Sequence, residues 1–207
     1  MHGTFSRTGC RGLFLVVLML FSKVAASPNA FQVPQLDGEL MPVPVELQIP
    51  LILKVLTYDR NFENRARSQL KIGIVYNTGD ASSVMAKNQV SSVFEEFEAK
   101  TIKNVPIKHF SLEYVSQDQF INIVNANQMT VYYVAPGNAR NLDNLLRMSQ
   151  SQRVITVTGV PGYVFRGVAV GIGANQDKPQ ILINLTSAKS VGTEFDASLL
   201  RIAKVVR

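Results

Sequence analysis

The chain has one cysteine (Cys10), two histidines (His2 and His109) and no tryptophan among its 207 residues. One cysteine excludes an internal disulfide, and with so few Cys and His a structural zinc cluster is excluded too. Charged residues make up only 17% of the sequence, and its Lys and Arg form no block. That removes the electrostatic footprint a nucleic-acid-binding surface requires. No apolar run approaches the ~20 residues that a membrane-spanning helix needs. There is no internal repeat.

What is present begins with three short zones. Residues 1–12 carry Arg7 and Arg11 without an acid, residues 13–21 are uninterruptedly apolar, and Val24, Ala25 and Ala26 follow as small residues. This is the pattern of a secretory signal peptide over residues 1–26, with cleavage between Ala26 and Ser27. Cys10 precedes the apolar run, so lipid attachment at a cleavage-site cysteine is not indicated. Cleavage removes Arg7, Arg11 and Lys23 from the 21 basic residues, leaving 18 against 15 acidic ones and a net charge of +3. It also removes Cys10 and His2. The remainder is expected to be exported, soluble and held together by its hydrophobic core alone.

Residues 27–44 read as a Pro-rich tether, punctuated by Pro28, Pro34, Pro42 and Pro44. Residues 45–207 read as one domain. Leu47, Leu51, Ile52, Val55 and Leu56 mark a first helix, with Pro50 either kinking it or marking its first turn. Strands are expected at 71–76, 107–112, 130–135 and 153–158, alternating with helices at 84–99, 117–126 and 139–149. Such alternation predicts an α/β fold, a mainly parallel sheet flanked by helices in a three-layer Rossmann- or flavodoxin-like sandwich. Residues 168–173 and 180–185 are joined too closely for a helical crossover and predict a C-terminal antiparallel hairpin. A terminal helix follows, with a capping-box-like start at Thr193 and Asp196 and an inner stripe of Phe195, Leu199, Ile202, Ala203 and Val206.

Catalytic parts are scarce. His109 lies in a strand pattern, where a lone histidine more often has a structural role. Glu95, Glu96 and Glu98 read as a solvated helix face, and Asp59 beside Arg60 as a helix-end pair. The glycines at 167, 171 and 173 precede no Lys-Ser/Thr and open no strand-to-helix turn, so they form neither a P-loop nor a dinucleotide fingerprint. No nucleophile–base pair, cofactor motif or metal site emerges. One constellation remains: strand-end loops containing Tyr76 and Asn77; Pro136, Gly137 and Asn138; and Thr158, Gly159 and Tyr163. In a parallel sheet all three loops share the carboxyl edge, where open α/β sheets bind ligands.

The C-terminal third carries a resemblance. Residues 180–192 end an apolar strand in Ile183-Asn184 and continue through Ala188 to Gly192, and residues 195–206 carry Leu199-Leu200-x-x-Ala203. This resembles the closing signature of the YfiR family, and the order of the preceding elements is similar over about 160 residues. The resemblance implies a periplasmic, non-enzymatic α/β domain of a Gram-negative bacterium. It implies action as a homodimer on the periplasmic part of a membrane-bound diguanylate cyclase or sensor. Repressors of this kind carry disulfide-forming cysteines, which this chain lacks after cleavage. Asn184 matches the family's strand-end asparagine and is expected to bond loop backbone.

Three functions are therefore weighed. A YfiR-type regulator would dock through an apolar patch, expected on the first helix around Pro50, Leu53 and Leu56. A periplasmic solute-binding protein would use the three-loop edge, although such proteins usually have two lobes. An enzyme lacks its chemistry here.

Overall fold

The computed structural model of the chain describes residues 39–206; the predicted signal peptide, its cleavage site at Ala26 and Ser27, and the tether up to residue 38 lie outside them. The first helix, α1 (Val45–Leu56), is followed by a short α2 (Phe62–Ala66). The α/β alternation then runs β1 (Leu70–Tyr76), α3 (Ala81–Glu98), β2 (Thr101–Ile102), β3 (Val105–Glu113), α4 (Gln117–Asn127), β4 (Val131–Val134), α5 (Leu142–Gln152) and β5 (Ile155–Thr158). It closes with α6 (Pro161–Phe165), β6 (Val170–Asn175), β7 (Lys178–Asn184), α7 (Leu185–Ser190), α8 (Ala197–Ile202) and β8 (Lys204–Val206).

All eight strands join one sheet in the order β2-β3-β1-β4-β5-β6-β7-β8. The five central strands, β3, β1, β4, β5 and β6, are parallel. The first of them in sequence lies between the second and third, so the winding reverses between β1 and β4. That is the doubly wound, flavodoxin-like order, with its topological switch point between these two strands. β7 turns back antiparallel to β6, as expected from the short connection.

Each strand alternates its side chains between two cores. Ile72 and Ile74 of β1 and Tyr133 of β4 join one core, with Ile49 and Ile52 of α1 and Val90 and Phe94 of α3. Val75, Tyr132 and Val134 face the other, with Phe120 of α4 and Leu142 and Leu145 of α5. With two layers of helix each covering one sheet face, β4 and β5 are buried on both sides.

Four local readings need correction. Pro50 lies inside a continuous α1, beyond its first turn. The buried stripe of α1 is rotated from the expected one: Gln48, Ile49, Ile52, Leu53 and Leu56 point inward, and Leu47 is 52% exposed. The hairpin loop shrinks to Gln176 and Asp177, both at positive φ (48° and 62°), because a turn of this type matches strand twist better than a long loop. The terminal helix is only six residues long: Asp196 caps it through Ser198, and the chain then leaves as β8, parallel to β7. Ile202 is therefore exposed, and Val206 is a buried strand residue. Thr193, instead of capping, accepts from the Arg65 guanidinium.

Candidate functional site

The loops after β1, β4 and β5 meet at the carboxyl edge of the parallel strands. In the first, Asn77 donates from Nδ2 to the Gly137 carbonyl at 3.2 Å, and its own N–H reaches Ser83 Oγ at 2.9 Å. Asp80 caps α3 by accepting from the Ser82 hydroxyl and the Ser83 N–H, which together hold its carboxyl below the usual carboxylate range. In the second loop Asn138 is fully buried and donates from Nδ2 to the Val75 and Ala135 carbonyls, tying β1 to β4. Gly137 sits at φ +79°, where a Cβ would also strike Asp80 and Ser83. In the third loop Thr158 donates to the Val134 carbonyl at 2.8 Å, and Tyr163 of α6 reaches back so that its hydroxyl accepts from the Asn138 N–H at 2.9 Å. Asn77 is thus bonded to Gly137 and Asn138 to Tyr163 along one edge, while Thr158 ties β5 to the end of β4 beside them. Pro136 is buried beside them, whereas the Tyr76 ring turns to α3, with Lys87 Nζ 5.2 Å from its centroid.

What sequence reasoning missed is that the chain's own N-terminal side covers this edge. Glu39, in the stretch expected to be a loose tether, accepts three hydrogen bonds: Oε2 from the Gly137 N–H (3.0 Å), and Oε1 from the Ala139 N–H (3.0 Å) and the Tyr163 hydroxyl (2.7 Å). Burial and the adjacent Glu39 carboxylate push the Tyr163 phenol above its ordinary pKa. Two residues on, Met41 Sδ lies 3.5 Å from the Tyr133 hydroxyl. That hydroxyl also donates to Gln48 Oε1 at 3.0 Å. Gln48, fully buried, in turn donates to the Val43 carbonyl and lies over Gly159. A Cβ on Gly159 would sit 2.1 Å from Gln48 Oε1, so glycine is what lets α1 approach. No sequence signal marks Gln48, because apolar periodicity gives the inward place to its neighbour Leu47.

The other candidate residues have different places. Leu53 and Leu56 are each only 3% exposed and belong to the core, so they are not available to a partner. Pro50 is exposed, and with Leu47, Leu51, Pro179, Ile181 and Ile202 it lines an open groove between α1, the β6–β7 hairpin and α8. His109 Nδ1 lies 2.8 Å from Glu98 Oε1, which also accepts from the His109 backbone N–H, and its ring stacks on Phe94, a structural placement. Asn184 caps α7 through the Ser187 N–H and donates to the Val164 carbonyl, the backbone role expected of it. Asp59 does not pair with Arg60; it is buried, bonds Arg65 at 3.3 Å, and Arg60 reaches Asp196 instead. At the opposite edge of the sheet, Arg65, Arg67, Lys71 and Arg153 line a polar groove. Among the described residues no group of three or more His, Cys, Asp or Glu could hold a metal, and no helix is long and apolar enough to cross a membrane.

The sequence model of the family described as YfiR/HmsC-like matches residues 46–204. No curated protein matches the chain. Among solved structures, the fold is similar to that of a conserved domain protein from Vibrio cholerae O1 biovar eltor, at TM-score 0.57 and 16% identity. It is also similar to an ABC domain in complex with L-Trp from Streptococcus pneumoniae, at TM-score 0.55 and 13% identity. Each match covers 79% of this chain and 60% of the other, so the chain spans about three fifths of their length. A ligand-free, open substrate-binding protein with adhesive properties from Clostridium difficile is similar at TM-score 0.50 and 14% identity, covering 71% of this chain and 57% of that one. At such identities the likeness is one of fold.

Proposed function

The chain belongs to the YfiR/HmsC-like family, and from that premise we propose that it is a non-catalytic periplasmic regulator that docks on a protein partner in the envelope. The partner class that fits is the periplasmic part of a membrane-bound diguanylate cyclase or sensor. The observation that carries this reading is the family match over residues 46–204 together with the groove beside α1, where Leu47 is 52% and Ile202 68% exposed. Two large apolar side chains in one groove form a surface that gains by being covered. The flanking Pro50, Leu51 and Ile181 extend it. The signal-peptide pattern of residues 1–26 supplies the route to that compartment.

The test is genetic and direct. Deleting the gene in its host should change the cellular level of cyclic di-GMP, and the wild-type chain supplied in trans should restore it. Leu47→Glu and Ile202→Glu variants, both at exposed positions, should be exported and folded yet fail to restore it. An unchanged cyclic di-GMP level after deletion sinks the cyclase reading. Full restoration by both variants sinks the groove as the docking face. Light scattering on the purified protein then decides whether a second copy shares that face.

A second reading, a small-molecule site at the carboxyl edge of the sheet, is favoured by one observation. The three-loop edge holds a ring of donors that already grips a carboxylate, that of Glu39.

A further inference from the structure

We infer that the switch-point edge of the sheet is a carboxylate-binding site, and that Glu39 is a built-in occupant which an incoming carboxylate replaces. This deepens the sheet-edge reading and is independent of docking through the α1 groove.

Two backbone N–H groups, those of Gly137 and Ala139, converge with one phenol, that of Tyr163. The positive φ of Gly137 turns the intervening peptides so that the N–H groups flanking Asn138 point to one side. Successive N–H groups in such a turn make an anion-binding concavity without any charged side chain. The third donor is fixed in place: Tyr163 is 2% exposed, and its oxygen accepts from the Asn138 N–H while its proton goes to the carboxylate. The loop is pinned from behind by Asn138 Nδ2 on the Val75 and Ala135 carbonyls, and from the side by Asn77 on the Gly137 carbonyl. The donors are therefore fixed by bonds to the sheet and not by Glu39. A site held that way keeps its shape when its occupant leaves.

The site lies where the winding reverses between β1 and β4, the place at which open α/β sheets leave a crevice for ligands. Here the crevice is taken by Glu39, Met41 and Gln48, none of which belongs to the alternating α/β elements that build it. Glu39 is the most detachable of the three. It precedes the first helix and is held by polar contacts, whereas Gln48 is anchored inside α1. An external carboxylate presents the same two oxygens to the same three donors. Binding then releases Glu39 from the edge, while Val43 stays buried and bonded to Gln48, so occupancy of the site is coupled to the few residues that precede Val43.

The experiment is carboxylate rescue of the purified protein. Glu39→Ala should lower Tm by about 3–8 °C, the loss expected for hydrogen bonds to a charged group in a chain of this size. Sodium acetate at about 200 mM, compared with sodium chloride at equal ionic strength, should return at least about a third of that loss in the variant and raise the wild type by a smaller amount, because there it competes with the tethered Glu39. Adding Tyr163→Phe to the variant should shrink the acetate response, because one of three donors is gone. Where the alanine variant fails to accumulate, Glu39→Gln, with its shape kept and its charge removed, serves for the same comparison. Equal Tm values in acetate and chloride for the variant overturn the inference, as does equal stabilisation of variant and wild type. A synthetic peptide of residues 38–43 separates the two sources of carboxylate. Rescue by both peptide and acetate supports a site that reads the carboxylate. Rescue by peptide alone overturns it, because the edge then reads the strap.

Discussion

Arg65→Ala should be among the most destabilising single substitutions outside the apolar core. The Asp59 carboxylate is only 3% exposed and accepts from the Asn61 and Glu194 N–H groups, each at 3.0 Å, and from Arg65 Nε at 3.3 Å. The rest of the guanidinium reaches the carbonyls of Arg153 (2.6 Å) and Val191 (3.1 Å) and the Thr193 hydroxyl (3.1 Å). One side chain on α2 therefore fastens the turn after α1 to the start of β5 and to the segment before α8. Removing it leaves a buried carboxylate with neutral partners only. Breaking a buried ion pair from one side costs about 3–5 kcal/mol. The Arg65 side chain is 13% exposed and water can enter from the polar groove it lines, so the lower end, about 3 kcal/mol, applies. For a chain of this size that corresponds to a fall in Tm of about 6–12 °C. Arg65→Lys keeps the charge opposite Asp59 but loses the fork that spans the remaining acceptors, and should cost about 1–2 kcal/mol. Urea unfolding of the two variants, with Asp59→Ala and the Asp59→Ala/Arg65→Ala double variant, closes a thermodynamic cycle. A loss below about 0.5 kcal/mol for Arg65→Ala would refute the reasoning, as would strict additivity of the two alanine substitutions.

Two further outcomes follow from the sheet edge and its neighbours. Gly159→Ala forces Gln48 off Tyr133 and should cost about 1–3 kcal/mol; most of that cost should vanish in a Gln48→Ala background, and additive losses would show that the two residues do not share the space. The carboxyl of Asp80 is held below its ordinary value by the Ser82 hydroxyl and the Ser83 N–H, and that of Asp196 by the Ser198 N–H and hydroxyl. Because both folded values lie below the unfolded one, their contribution is complete above about pH 4 and is lost as pH falls through the lowered values. An acid titration of stability should therefore be flatter below pH 4 in Asp80→Asn than in the wild type, and parallel curves would contradict the assignment.

Comparing the two ends of the domain shows why some elements were legible and others not. β4 announces itself because it is apolar over its whole length, the mark of burial on both faces: Tyr132, Tyr133 and Val134 are all within 1% of full burial, whereas β3 shows the period-two alternation of a strand nearer the edge. Their alternation with α3, α4 and α5 determines a parallel sheet, and the short link from β6 to β7 determines the hairpin. The short pieces α2, α6, α7 and β8 left no such trace, since a helix of five or six residues shows too little of its period to be read. The rotation of the α1 stripe was hidden for a different reason. Gln48 is polar and Leu47 apolar, and periodicity assigns the apolar one to the core. In the fold Gln48 is buried because Tyr133 and the Val43 carbonyl satisfy its amide, while Leu47 is left outside.

The amino-acid sequence by itself therefore determined the class of fold, the family resemblance and the shared edge of the three strand-end loops, because each follows from local pattern or from residues close in the chain. It also bounded the chemistry, through a single cysteine and two histidines far apart in the chain. Only the tertiary structure decided what occupies that edge. Glu39 and Tyr163 are 124 positions apart, and Arg65 and Thr193 are 128 apart. No local pattern encodes such pairs; they exist because the winding of the sheet brings the N-terminal segment over the switch point and the C-terminal segment against α2.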